Sequence, residues 1–493
     1  MEHGPRERHL HRAFGSAAIA FMFALMPAPI WAQNMSASSA GAGGPRLTPD
    51  PYVVELGAAR GTLPTHTLIR AALLLSGADA STVTADTAQL ERIIADLSRA
   101  VSAVRDPYRR GEAVLEYIHA QLLTSYHVTQ ARLDTLLATG HFNCVSSAVL
   151  YLILGRAVGL HVEAAYTPDH AFCTVDVGGK LVDVETTNRY GFDPGTKKAF
   201  RDAFGATGFT YVPPGDYLRR SATDAKGLLS FILQDRMALL EQRRDYAEAV
   251  GLAIDRYTLL RTQATYDDGA NEIANYCSAL NDQGRYSEAL DFLRRATRIY
   301  GTAPVLQRAG AILVQNETAR LSKKNAFKEA LGVIEEGLVE GWTDATAASS
   351  LRASVAERRV LAQGKDLPFR EAVAAATRSY REGELPDAFY KNYLYSLYAT
   401  EAHTLAGGGD YLRAAAVLGE GERLVGDPRL AQGKEIYLND YVATVHNRYA
   451  ALYNGGNASA AIPLLKAALA RLPGNTMLTD DLRMAQQAAG TSH

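Results

Sequence analysis

An aromatic residue followed three positions later by alanine recurs through the second half of this 493-residue chain. The copies are Tyr246/Ala249, Tyr286/Ala289, Phe327/Ala330, Phe369/Ala372 and Tyr411/Ala414, and a sixth, Ala458/Ala461, has lost its ring. Their offsets are 40, 41, 42, 42 and 47 residues. Regular self-similarity at this length restricts the fold more than any other feature. Each copy has room for two helices and a turn, and such a unit cannot bury its apolar face alone, so neighbours must stack. The pattern predicts an all-α helical-repeat solenoid over residues 225–493.

The second copy has Gly284 before it and Leu293 and Ala296 after it, and the last copy adds Leu465, Ala468 and Pro473. These placements resemble tetratricopeptide (TPR) repeats, in which small residues let two helices approach closely. That resemblance implies a protein or peptide partner bound by the repeats. The period exceeds the usual ~34 residues, so longer helices or turns are expected. Phe389, Tyr390, Tyr393, Tyr395 and Tyr398 fall on one repeat helix. Such a cluster either lines a concave groove or fills the space between helices.

The chain is long enough for about three domains of ~100–200 residues. A hydrophobic content of 47% is ordinary for a globular protein. The start reads as a secretory signal over residues 1–32. Arg6, Arg8 and Arg12 precede an apolar run from Ala13 to Leu25, which Pro27 and Pro29 end before Ile30-Trp31-Ala32. The run is too short for a good membrane span. Ile30 is bulky for a cleavage site, which leaves an uncleaved anchor open. Export to the periplasm or cell envelope is the expectation, with no membrane span in the mature chain. Residues 33–50, rich in Ser, Ala and Gly, read as a flexible linker. Loss of the signal leaves a net charge of −3, which offers no basic face for nucleic acid. The three cysteines, Cys144, Cys173 and Cys277, are too few and uneven for a disulfide framework. No phosphate loop and no metal-ligand spacing occurs, so neither cofactor nor metal is expected.

Residues 51–222 begin helical. Leu90, Ile93, Ile94, Leu97 and Val101 make one helical stripe over Asp86 to Val104, with Asp86 as its N-cap. Further helices are expected over Gly111–Leu123, Thr129–Leu137 and Cys144–Val158, the last stopped by Gly159. The period then changes to two. Ala171, Cys173, Val175 and Val177 alternate with His170, Phe172, Thr174 and Asp176, and Gly178-Gly179 marks a tight hairpin turn. That turn places Thr174 opposite Asp183 and Phe172 opposite Glu185. His170, Asp183 and Glu185 then share a face, with Glu185 the diagonal neighbour of His170 at ~7–8 Å. Cys173 points the other way, into the core. Cys277 falls in a small-residue slot of a repeat helix, and His141 reads as a loop histidine.

Three side chains thus converge. Cys144 opens a helix behind Asn143, a natural N-cap. A helix N-terminus favours a thiolate. His170 can take the thiol proton, Glu185 can orient the imidazole, and the Cys144 N–H can meet an oxyanion. Asp183 is the alternative acid. The order Cys–His–acid resembles the transglutaminase-like superfamily, of papain-like architecture. The matching residues are Asn143-Cys144 leading into Ser146-Ser147-Ala148-Val149-Leu150-Tyr151, Gly159-Leu160, His170-Ala171-Phe172 and Glu185-Thr186-Thr187-Asn188. Glu185-Thr186-Thr187 stands where the family has Asp-Pro-Thr. The resemblance implies an α+β front domain and a cysteine acyl hydrolase or peptidase that acts on a peptide, protein or cell-envelope amide. The other reading is a non-catalytic TPR scaffold with a degenerate front domain. A calcium-dependent cross-linking transglutaminase would want an acidic loop that the chain lacks.

Overall fold

The helix over residues 144–157 has no polar face: every residue from Val145 to Gly155 is buried. A helix apolar all round must be enclosed on all sides, and the front of the molecule is built around it. The computed structural model describes residues 44–168, 170–194 and 220–490. The expected signal segment and residues 33–43 of the expected linker lie outside them.

The front elements are α1 (Pro51–Ala58), α2 (Thr65–Ser76), α3 (Ala80–Ala100), α4 (Pro107–Gln121), β1 (Ser125–Tyr126), α5 (Leu133–Thr139), β2 (His141–Phe142), α6 (Cys144–Ala157), β3 (Val162–Thr167), β4 (His170–Val177), β5 (Lys180–Val184) and β6 (Ser221–Thr223). β1 and β2 form a short parallel pair, and the other four make an antiparallel sheet in the order β5-β4-β3-β6. The β4–β5 hairpin has the register read from the sequence: Thr174 faces Asp183 and Val177 faces Lys180. Gly178 and Gly179 take φ of 64° and 89°, the left-handed pair a two-residue turn needs.

Some helix starts differ from expectation. α3 begins at Ala80 because Asp79, rather than Asp86, accepts the Thr82 N–H at 2.8 Å. Asp86 lies one and a half turns inside the helix, and its Oδ2 is buried without a partner. α4 begins at Pro107 with Asp106 as its cap, the usual place for proline at a helix start. Gly111 is then interior, where a Cβ would stand 2.5 Å from the Phe192 ring. α5 begins at Leu133, since Gln130 donates to the carbonyls of Arg132 and His141 and holds the preceding residues in a turn.

Thirteen further helices follow among the described residues: α7 (Ala225–Gln242), α8 (Tyr246–Leu259), α9 (Gln263–Asp282), α10 (Tyr286–Tyr300), α11 (Pro304–Lys323), α12 (Phe327–Val339), α13 (Ala345–Gly364), α14 (Phe369–Arg381), α15 (Asp387–Gly407), α16 (Tyr411–Val425), α17 (Pro428–Asn454), α18 (Ala458–Arg471) and α19 (Thr476–Gly490). Each of the six motif copies opens a short helix of 13 to 15 residues. The six paired alanines are buried at the helix contacts. The interleaved partners α9, α11, α13, α15 and α17 run 20 to 27 residues, which accounts for the long period. In five copies a left-handed residue stands two places ahead of the motif: Arg244, Gly284, Asn325, Gly409 and Gly456. The α15 aromatics pack between helices. Tyr390 stacks on Tyr380 at 4.1 Å, Tyr398 meets Phe369 edge-on, and Arg429 lies 4.0 Å over Tyr395.

The front core extends beyond residue 222. One hydrophobic cluster runs from Val53 to Leu259 and takes in Leu228, Leu229, Ile232 and Leu233 of α7 and Leu252 of α8. Residues 45–50, expected as linker, lie against α8. Asp255 accepts from both Arg46 guanidinium nitrogens and, at 2.7 Å, from the Asp50 N–H, an arrangement that the local composition of the segment does not reveal.

Candidate active site

Cys144 stands at the first position of α6, and Asn143 fixes it there. The Asn143 backbone is extended, at φ −128°. Its Oδ1 accepts from the N–H groups of Val145 and Ser146 at 3.0 Å each, while Ser146 Oγ accepts from the Asn143 N–H. This reciprocal box satisfies the first amides of the helix. The Asn143 amide nitrogen donates onward to the Val128 carbonyl and to Asp235 Oδ2 at 2.7 Å.

His170 opens β4 and Glu185 follows the end of β5, so the hairpin register brings them together. His170 Nε2 donates to Glu185 Oε2 at 2.6 Å. Glu185 Oε1 accepts from the Thr187 hydroxyl at 2.7 Å and from the Thr187 N–H at 3.2 Å. Thr186 shares a 2.8 Å hydrogen bond with Ser147 of α6, and its carbonyl accepts from His119 Nε2 at 3.0 Å. The Glu185 N–H donates to the Gly191 carbonyl at 2.7 Å. A Cβ on Gly191 would stand 2.0 Å from the Glu185 carbonyl oxygen, so the loop closes this tightly only around glycine. The bond to Glu185 occupies Nε2 and leaves Nδ1 as the ring nitrogen for the thiol.

The electrostatics match this geometry. Burial opposes charge on His170, but the Glu185 carboxylate and hydrogen bonding with the Cys144 sulfur outweigh it and hold the imidazolium well above its ordinary range. Burial likewise opposes charge on Glu185, yet His170 and the two Thr187 bonds keep its carboxyl below the usual value of 4.5. His119, by contrast, is pushed down to about 4 by burial. It is a neutral donor that props the Glu185–Thr187 loop.

Asp183, the alternative acid, forms an ion pair with Arg220. Cys173 is buried and donates to the Ala148 carbonyl at 3.3 Å, and Cys277 is buried in the repeats, its thiol pushed up to about 12. Cys144 is half-buried. His141 lies beside His127, ring centres 4.2 Å apart.

Cys144 and His170 line a cleft of about 500 Å³ whose other wall comes from α7, α8 and α9. That wall carries Phe231, Asp235, Arg256 and Asp268. Sequence reasoning missed all four. Asp235 is 92 residues from its partner Asn143, and no spacing rule links a helix cap to a later repeat helix. No cluster of metal-ligating side chains occurs among the described residues, and no helix among them is long and apolar enough to cross a membrane.

No family model matches the chain, and no curated protein matches it. Among solved structures the chain is similar to menin, whose crystal structure is described as revealing its binding site for the Mixed Lineage Leukemia protein. The identity is 13%, over 78% of this chain and 96% of that one, with a TM-score of 0.28. An overlay this loose defines no shared site.

Proposed function

We propose that this protein is an exported cysteine acyl hydrolase or peptidase of transglutaminase-like, papain-like design, with TPR-like repeats that bind a protein or peptide. The observation that carries the reading is His170 held between Glu185 and the Cys144 sulfur at an open cleft. A buried imidazole kept charged by a carboxylate on one nitrogen, with a thiol at the other, is a nucleophile–base–orienter set.

The thiolate of Cys144 attacks the acyl carbon of an amide. The tetrahedral oxyanion is met by the Cys144 N–H at the helix tip, which the Asn143 box leaves unengaged and where the helix dipole favours negative charge. The C–N bond breaks as His170 gives its proton to the leaving amine. A thioester remains on Cys144. Water then attacks the thioester, His170 takes its proton, and the acid departs as the thiolate is restored beside the protonated ring. Glu185 stays ionised and holds the ring orientation.

An amide-based electrophilic probe should label the native chain at Cys144. Labelling should vanish in Cys144→Ala and fall steeply in His170→Ala. Equal labelling of Cys144→Ala would refute the enzyme and leave the chain as a binding scaffold.

A further inference from the structure

The first repeat helices supply one wall of the cleft that Cys144 lines, and that wall carries Asp235, Arg256 and Asp268 beside the Phe231 ring. Asp235 Oδ2 is taken by the Asn143 amide. Its second oxygen meets no hydrogen-bond donor among the described residues, and the residue lines the cleft. Arg256, also in the wall, is engaged by Asp268 and by Gln234 Oε1 at 2.7 Å. Two carboxylates therefore face one guanidinium. The His170–Glu185 ion pair adds no net charge. Tyr166 and Phe231 complete the pocket with their rings 5.3 Å apart and tilted. Ring faces beside a carboxylate with a free oxygen suit a compact cation, which gains from both.

We propose that this wall selects acyl substrates carrying a primary ammonium group near the scissile bond, with Asp235 as the residue that reads the charge. The assignment rests on the acyl-transfer reading of Cys144 and names its substrate class. The repeats then do more than dock a partner: their first helices set specificity inside the cleft.

Burial raises the Asp235 carboxyl to about 6, against the pull of the Asn143 amide and Arg256. Asp235 is charged at neutral pH and discharges on mild acidification. The other ionisable groups around it are Cys144 of α6, Tyr126 of β1, His170 of β4, Arg256 of α8 and Asp268 of α9.

Three methanethiosulfonates test the assignment on the full chain: 2-aminoethyl (cationic), methyl (neutral) and 2-sulfonatoethyl (anionic). Each forms a mixed disulfide with a thiolate and releases methanesulfinate. Modification of Cys144 is followed by peptide mass, and each rate is divided by that of free N-acetylcysteine. The cationic reagent should exceed the neutral one by about tenfold, as expected of a charge-assisted contact. That ratio should collapse toward one in Asp235→Asn. In the unaltered chain it should also fall as pH drops below about 6, where Asp235 discharges, and any loss of reactivity common to the three reagents cancels in the ratio. The pH series decides the matter if the variant does not fold. Equal cationic and neutral rates in the native chain, or a ratio unmoved by both changes, would overturn the selection and leave acyl transfer standing. A Cys144 inert to all three reagents would overturn both.

Discussion

At the scale of single residues, Glu185 carries the most testable weight. Its carboxylate is held at both oxygens. Thr187 holds one carboxylate oxygen and His170 the other. Glu185→Gln keeps the shape and removes the charge, so under the proposed acyl transfer kcat/KM should fall about 10²–10⁴-fold, as for loss of an orienting acid elsewhere. The pair also links stability to pH. Glu185 is depressed on folding, so its contribution is present above 4.5 and is lost as pH falls through its folded value. His170 is raised, so its contribution is full below 6.5 and is lost as pH rises through its folded value. The Tm gap between native and Glu185→Gln protein should therefore be widest between pH 4.5 and 6.5. A gap that is flat across pH would show that the two groups are uncoupled. Cys144, His170 and Glu185 were all legible in sequence, because hairpin register and helix start are local properties. Asp235 was not, since its role depends on where α7 lies.

At the scale of elements, the repeat turns explain themselves. A left-handed residue two places before the motif ends one helix and lets the next begin. Glycine fills it in three copies, but Arg244 and Asn325 hold φ of 59° and 58°. Arginine in that region is strained by about 1–2 kcal/mol. Arg244→Gly should therefore stabilise the protein by about 1 kcal/mol, after allowance for the looser unfolded chain. Chemical denaturation checks it, and a destabilised variant would mean that the arginine side chain has a role beyond the turn. The aromatic-x-x-Ala pattern marked six helix starts because it encodes a packing contact. The starts of α3, α4 and α5 were missed by several residues, since Asp79, Asp106 and Gln130 compete with other plausible caps and the sequence alone does not rank them.

At the scale of the molecule, the front core and the first repeat helices are one body of packing. α7 buries Leu228, Leu229, Ile232 and Leu233 against the front helices, and Lys226 donates to the Gly57 and Ala59 carbonyls. A fragment of residues 45–222 would expose that seam, whereas residues 45–262 would keep it covered. The longer fragment should melt cooperatively and the shorter should not. Equal cooperative transitions in both would show that α7 and α8 are dispensable to the core. The remaining repeats hold four smaller clusters of their own, as expected of a stack in which each unit touches only its neighbours.

The chain by itself determined whatever repeats or alternates: the helix pairs, the hairpin and its register, the thiol at a helix tip and the histidine and acid on one face of the hairpin. These follow from periodicities of the backbone, which need no knowledge of distant segments. Only the tertiary structure decided that α7 to α9 wall the cleft, that Asp235 reaches the cap beneath Cys144, and that Arg46 is pinned by Asp255. Those contacts span 92 residues or more, and side chains that far apart are brought together by burial of apolar surface, which has no direction of its own and leaves no local mark.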